Sequence, residues 1–116
     1  GAAIRASLRK LDLDRFFAAV VVSGDVGRVK PHPRTFEAVL CALGTPARAT
    51  LHVGDNWLGD IQGAKRAGLR AALMRQWDTP EKFDRRPGDL DPDLIFDHLT
   101  EIRDHVPMPE PLERTP

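Results

Sequence analysis

Asp55 and Asp60 stand five positions apart in Leu51-His52-Val53-Gly54-Asp55-Asn56-Trp57-Leu58-Gly59-Asp60. Paired carboxylates suit a hard divalent cation, which prefers oxygen ligands, or a phosphate group held beside one. Upstream, Val29-Lys30-Pro31-His32-Pro33-Arg34-Thr35-Phe36 supplies a lysine between a strand exit and a helix start. Fixed positive charge of this kind stabilises developing negative charge on oxygen. The local pattern also says how the acids are presented. A buried strand ends, Gly54 lets the backbone turn sharply, and Asp55 emerges at the carboxyl edge of a parallel sheet, where ligands of open α/β folds collect. Asp60 falls at the start of the next helix, where capping alone would also account for it. Asn56 either orients a substrate or metal water, or shapes the turn.

The elements that must position these groups follow from hydrophobic periodicity. Ile4, Leu8 and Leu11 recur at helical spacing among Arg5, Ser7, Arg9 and Lys10, which predicts a one-faced helix ending near Asp12. The run Phe16-Phe17-Ala18-Ala19-Val20-Val21-Val22 is continuously apolar and reads as a strand buried on both faces. Ser23 to Val29 reads as a loop. Pro33 suits the first turn of a helix whose apolar stripe is Phe36, Val39, Leu40 and Leu43, with Gly44 as its left-handed stop. A strand over Thr50 to Val53, a short helix from about Asp60 to Ala67 closed by Gly68, and a strand over Arg70 to Arg75 complete the alternation. That order predicts βαβ crossovers and a parallel sheet with flanking helices.

From Gln76 to Asp93 the composition turns to Asp, Pro, Arg and Gly, which predicts an irregular surface segment. Leu94-Ile95-Phe96 suits a short edge strand, and Leu99, Ile102 and Val106 a last amphipathic helix. Residues 1–106 thus make one domain, and the proline-rich residues 107–116 an extended or disordered tail.

Composition narrows the function classes. The chain has 116 residues, enough for one core, and 41% are aliphatic, aromatic or cysteine. Lys and Arg total 17 and so do Asp and Glu, which argues against a nucleic-acid surface or a basic membrane-binding face. No apolar run approaches the roughly 20 residues of a membrane helix, and Gly1-Ala2-Ala3-Ile4-Arg5 lacks the apolar core of a signal peptide, so a cytoplasmic location is expected. The single cysteine, Cys41, excludes an internal disulfide and reads as a mostly buried thiol. The chain opens on Gly1, as a tag remnant or an internal starting point of a longer chain would.

Lys-Pro-x-Pro-x-x-Phe at residues 30–36, Gly-Asp-x4-Asp at 54–60 and Gly63-Ala64-Lys65-Arg66-Ala67-Gly68, in this order and separation, resemble the second half of the haloacid dehalogenase-like hydrolases. The likeness runs from about Ile4 to about Ile102, and Ser23-Gly24-Asp25-Val26-Gly27-Arg28-Val29-Lys30-Pro31-His32-Pro33 carries it most strongly. The resemblance implies a Rossmann-like fold, Mg²⁺, and phosphoryl transfer through an aspartyl phosphate. It assigns Lys30 to charge stabilisation and Asp55 to the metal, with Asp60 as second carboxylate either to the metal shell or to Lys30. A Mg²⁺-dependent phosphatase of a small phosphorylated metabolite is the activity implied for the intact form.

The family's nucleophile, Asp-x-Asp directly after an N-terminal strand, has no counterpart in that setting. Asp12-Leu13-Asp14 follows a helical pattern, and Asp91-Pro92-Asp93 follows a polar loop. Ser23 mimics the family's second motif but is only seven residues from Lys30, so it reads as a loop residue. The chain is therefore expected to carry an incomplete version of the fold and to be inactive alone. With the strands that would separate the Val20 and Leu51 strands missing, the chain is expected to pair strands in a new order, exchange elements with a second copy, or meet a complementary chain. Two other classes compete. One is a non-catalytic dimerising or partner-binding module. The other is a phosphoacceptor receiver domain, disfavoured because its lysine should follow the acceptor aspartate whereas Lys30 precedes Asp55. His52, alternating with apolar neighbours, reads as packed, His32 as a loop histidine, and Trp57 as either a substrate cover or a turn aromatic packed on the helix.

Overall fold

Three strands, Leu51–Gly54 (β1), Arg70–Met74 (β2) and Leu94–Phe96 (β3), pair in parallel in the order β1-β2-β3 in a computed structural model that describes residues 1–28, 30–75 and 85–106. Leu51 faces Arg70 and Gly54 faces Leu73 across the first ladder, and Ala72 faces Leu94 across the second. β2 is central and is the most apolar strand, with Ala71, Ala72 and Leu73 all buried, as a parallel strand covered on both faces must be. The sequence-predicted α/β class with a parallel sheet and flanking helices holds.

The helices are Ala2–Lys10 (α1), Ser23–Val26 (α2), Pro33–Leu43 (α3) and Gly63–Arg66 (α4). Pro33 opens α3 and Gly44, at φ 67°, closes it, as their backbone preferences require. His32 is more than a loop residue, because its Nδ1 accepts the Arg34 N–H and caps α3. Phe36 from α3, Trp57, Ile61 and Ala64 from the β1–β2 connection, and Leu69, Ala71 and Leu73 from the second strand and its approach form the core. Each large aliphatic group buried there contributes about 1.5–3 kcal/mol.

Several expectations are corrected. The apolar run Phe16–Val22 is not a strand: Asp14–Phe16 form a 3₁₀ turn, the backbone is extended at Phe17 and Val22, and no ladder forms. β-branched residues favour the extended conformation, but a strand exists only beside a partner, and among the described residues none lies alongside. Phe16 and Phe17 are exposed instead of buried. Of the three arrangements expected for the surviving strands, pairing in a new order is not the one adopted among the described residues, where β1 to β3 follow one another in the sheet as in the sequence. Ser23 begins a helical turn where a loop was expected, Leu99–Asp104 is 3₁₀ in place of an α-helix, and Cys41 is exposed on α3. Residues 76–84 of the expected irregular segment and the whole proline-rich tail, 107–116, lie outside the described residues.

Residues 85–93 are irregular, as expected, yet tied to the body. Gln62, fully buried, donates to Leu90 O at 2.8 Å and accepts from Leu90 N–H at 2.7 Å. The Trp57 indole donates to Asp89 Oδ2 at 2.8 Å, and Asp93 accepts from the Ala71 N–H and from Lys65. The Arg86 N–H and then the indole hold the Asp89 carboxyl below its ordinary range, against a smaller effect of burial. Trp57 thus packs and anchors, as one of its two readings has it.

Candidate active site

The site is built where β1 ends. Gly54 is the last residue of β1, and its backbone is not in the left-handed region. Its small size serves a different end from the sharp turn expected: a Cβ at this position would fall 2.2 Å from Asp60 Cγ. Asn56 then caps a π-helical turn, Trp57–Gln62, by accepting the Gly59 N–H at 2.7 Å, while its carbonyl accepts from both Asp60 N–H and Ile61 N–H. Such widened turns concentrate at functional sites. Asp60 is therefore inside this turn and not the cap at its start, and it is 3% exposed.

Both oxygens of Asp60 are engaged. Oδ1 receives the Lys30 ammonium and lies 2.9 Å from His52 Nε2, and Oδ2 accepts the Asn56 N–H at 3.1 Å. Burial opposes ionisation of this carboxyl, but the hydrogen bonds from His52, Lys30 and Asn56 together with the ammonium charge outweigh it, and the group is held far below the usual carboxylate range. Lys30 sits in the turn before α3 with its side chain about half exposed, so the pair has a buried acid and a cation at the surface.

Lys30, His52, Asp55, Asn56 and Asp60 line one cleft of about 780 Å³, together with Ser23, Thr35 and Phe36 and the apolar Val20, Val21, Val22, Val39 and Leu51. The cleft lies between the unpaired Val20–Val22 segment and β1. Every residue expected at the site except Gly54 lines it, and Gly54 acts from behind by leaving room for Asp60.

His52 was not expected there. The signal was present, because His52 and Gly54 are two apart on a strand and so share a face. That shared face is the one against Asp60. Asp55 offers a hard carboxylate to a divalent cation, with the Asn56 amide beside it in the cleft. Among the described residues no group of three or more His, Cys, Asp or Glu side chains could hold a metal ion. Asp12 and Asp14 lie in exposed turns and do not line the cleft. Among the described residues no helix is long and apolar enough to cross a membrane.

The chain has known relatives. The chain is 42% identical over 82 residues to a phosphoserine phosphatase of Thermus thermophilus, covering 67% of this chain and 33% of that protein. It is 35% identical over 99 residues to the pyrophosphatase PpaX of Halalkalibacterium halodurans, covering 85% of this chain and 44% of the relative. In three dimensions it superposes on the magnesium-bound crystal structure of YfnB from Bacillus subtilis with a TM-score of 0.72 and 29% identity, over 87% of this chain and 42% of the other. The chain thus spans from a third to less than half of the length of these proteins. Residues 2–74, which hold Lys30, His52, Asp55 and Asp60, match the haloacid dehalogenase-like hydrolase family over most of the described fold, and the chain belongs to that family.

Proposed function

We propose that this chain is the C-terminal part of a Mg²⁺-dependent phosphatase acting on a small phosphorylated metabolite, and that it is inactive by itself. The observation that carries the reading is the pairing of Lys30 with buried Asp60 in the cleft that also holds Asp55. A lysine anchored on a carboxylate presents a fixed positive charge, which is what the oxygens of a transferring phosphoryl group require. Of the two roles open to Asp60, its three contacts favour anchoring Lys30. Asp55 would hold the cation, with Asn56 nearby. When bound, Mg²⁺ neutralises phosphoryl oxygens. The related phosphatases support the reaction class, and the magnesium in YfnB supports the cation.

Inactivity follows from the cleft's lining, where Asp55 and Asp60 are the carboxylates, and from the lack of an Asp-x-Asp pair directly after a strand among the described residues. Loss of a covalent nucleophile costs many orders of magnitude in rate. The test is hydrolysis of an aryl phosphate with Mg²⁺, run beside phosphate binding followed by ³¹P NMR. We expect turnover at the level of buffer and Mg²⁺-dependent phosphate binding that Lys30→Met and Asp55→Asn abolish. Turnover that Asp55→Asn removes would place the nucleophile inside this chain and end the claim of incompleteness. Absence of phosphate binding would end the phosphatase reading.

A second reading rests on the exposed apolar residues of the first segment, Ile4, Leu11, Leu13, Phe16 and Phe17, which suit a dimerising or partner-binding module. Self-association unaffected by Mg²⁺ and by Asp55→Asn would favour it.

A further inference from the structure

We infer that His52 is a positioning residue that sets the Asp60 carboxylate, and through it Lys30, at the mouth of the cleft. The inference deepens the phosphatase reading and rests on it for the purpose of Lys30, though not for the contacts themselves.

The argument starts from the strand. His52 and Gly54 project to the same side of β1, and both meet Asp60 there. Gly54 meets it by having no side chain, and His52 by placing Nε2 at 2.9 Å from Oδ1. An ionised carboxylate only accepts hydrogen bonds, so this ring nitrogen carries the proton and donates. Oδ1 is the oxygen that Lys30 also engages, while Oδ2 is taken by the Asn56 N–H. Three donors from three places in the chain thus fix the plane of one carboxylate. A backbone donor and a half-exposed lysine alone leave one side of Oδ1 open, and a carboxylate so held can rotate about its terminal bond.

The imidazole is itself clamped. Phe36 of α3 meets it edge to face, with ring centroids 5.3 Å apart and planes at 80°. Phe36 is 3% exposed, and Gly63 leaves it no slack, since a Cβ there would lie 2.8 Å from the ring. Phe36, His52, Asp60 and Lys30 thus form one connected series of contacts along the cleft, beginning at a core residue, Phe36, and ending at the half-exposed Lys30. Aromatic pairs in this geometry are favourable beyond the area they bury, which makes the ring a firm base for the hydrogen bond. A strand interior supplies the rigidity that a loop histidine lacks.

The test uses the full chain with His52→Leu, His52→Gln and Asp60→Asn, each ¹³C-dimethylated at lysine, and reads the Lys30 methyl resonance at one fixed pH near neutrality. Asp60→Asn supplies the position of an unanchored Lys30. His52→Leu should move the resonance most of the way to that position, and His52→Gln, which keeps a donor of similar reach, should leave it near wild type. Inorganic phosphate with Mg²⁺ is titrated in parallel. His52→Leu should weaken its binding about tenfold and His52→Gln by no more than about threefold, as expected for one charge-assisted hydrogen bond. Thermal melts confirm that each variant is folded, and a variant of His52→Leu that fails to fold is replaced by His52→Met, to which the same expectation applies. A wild-type Lys30 resonance in the apolar variant overturns the inference, as does a failure of His52→Gln to restore it. Phosphate that binds to no form of the chain removes the phosphatase reading alone, and the Lys30 resonance still decides the role of His52.

Discussion

Gly54 and Asp60 share a space that admits only one side chain: the Cβ that any other residue would place at position 54 falls 2.2 Å from Asp60 Cγ and 2.3 Å from its Oδ2. Gly54→Ala must therefore displace the buried carboxylate or bend β1. The expected result is a loss of about 1–3 kcal/mol in urea unfolding, the range for overpacking at a close-packed position. Phosphate binding should fall with it, because Asp60 cannot move without releasing Lys30. Unchanged stability and binding in the alanine variant would show that the carboxylate sits elsewhere.

Acid stability follows from the same group. The folded Asp60 holds its proton more weakly than the unfolded chain does, since His52, Lys30 and the Asn56 N–H together outweigh burial. A depressed folded value stabilises the fold above the unfolded value, about pH 4, and that contribution is lost as pH falls through the lower folded value. Urea midpoints should drop steeply below about pH 4 in the wild type. In Asp60→Asn the chain should start about 2 kcal/mol lower at neutral pH and fall less steeply in acid. Some slope should remain, because Asp89 and Asp93 are also held low; at Asp93 burial is the largest single effect and raises the value, but the Ala71 N–H, Lys65 and Arg70 together outweigh it. Equal slopes in the two proteins would exclude Asp60 as a source.

Gln62 joins the turn at the site to residues 85–93 through two hydrogen bonds to one backbone unit, Leu90. Gln62→Leu keeps the volume and deletes both. We expect a loss of about 1–3 kcal/mol, since Leu90 is exposed enough for water to restore part of the pairing. Hydrogen exchange at the Leu90 amide should accelerate in the variant, and protection unchanged there would mean that the amide has another partner.

Phe16 and Phe17 expose 65% and 55% of their surfaces beside a helix, α1, that buries no residue. Exposed aromatic pairs on an unpartnered element favour association. Analytical ultracentrifugation should show concentration-dependent self-association of the wild-type chain, reduced by a Phe16→Ser, Phe17→Ser double variant whose thermal unfolding differs little. A monomeric wild type at high concentration would remove Phe16 and Phe17 as an interface.

The gap between what was readable and what was not is clearest at Phe16–Val22 and at His52. The run Val20-Val21-Val22 announces an extended backbone through β-branching, and the backbone is extended at Val22. Whether that becomes a strand depends on a neighbour to supply the ladder, and local sequence holds no information about what lies alongside. Asp60 shows the same divide in a smaller compass. Its place after Gly54-Asp55 marked it as a site carboxylate, but a helix start could have made it a cap, and only the π-helical turn at Trp57–Gln62 carries it inward past Gly54.

By itself the sequence determined the properties that repeat locally: the parallel α/β alternation, the ends of α3 at Pro33 and Gly44, and the set Lys30, Gly54, Asp55, Asn56 and Asp60. The alternation and the ends of α3 depend on side-chain periodicity and backbone preference over a few residues, whereas the set at the site rests on the likeness of its motifs to the haloacid dehalogenase-like hydrolases. The tertiary structure alone decided that His52 joins Asp60, that Gly54 serves by the absence of a side chain, and that an open cleft separates the valines from β1. Those facts depend on which atoms meet across positions well separated along the chain, through hydrogen bonds and close packing whose partners no local pattern specifies.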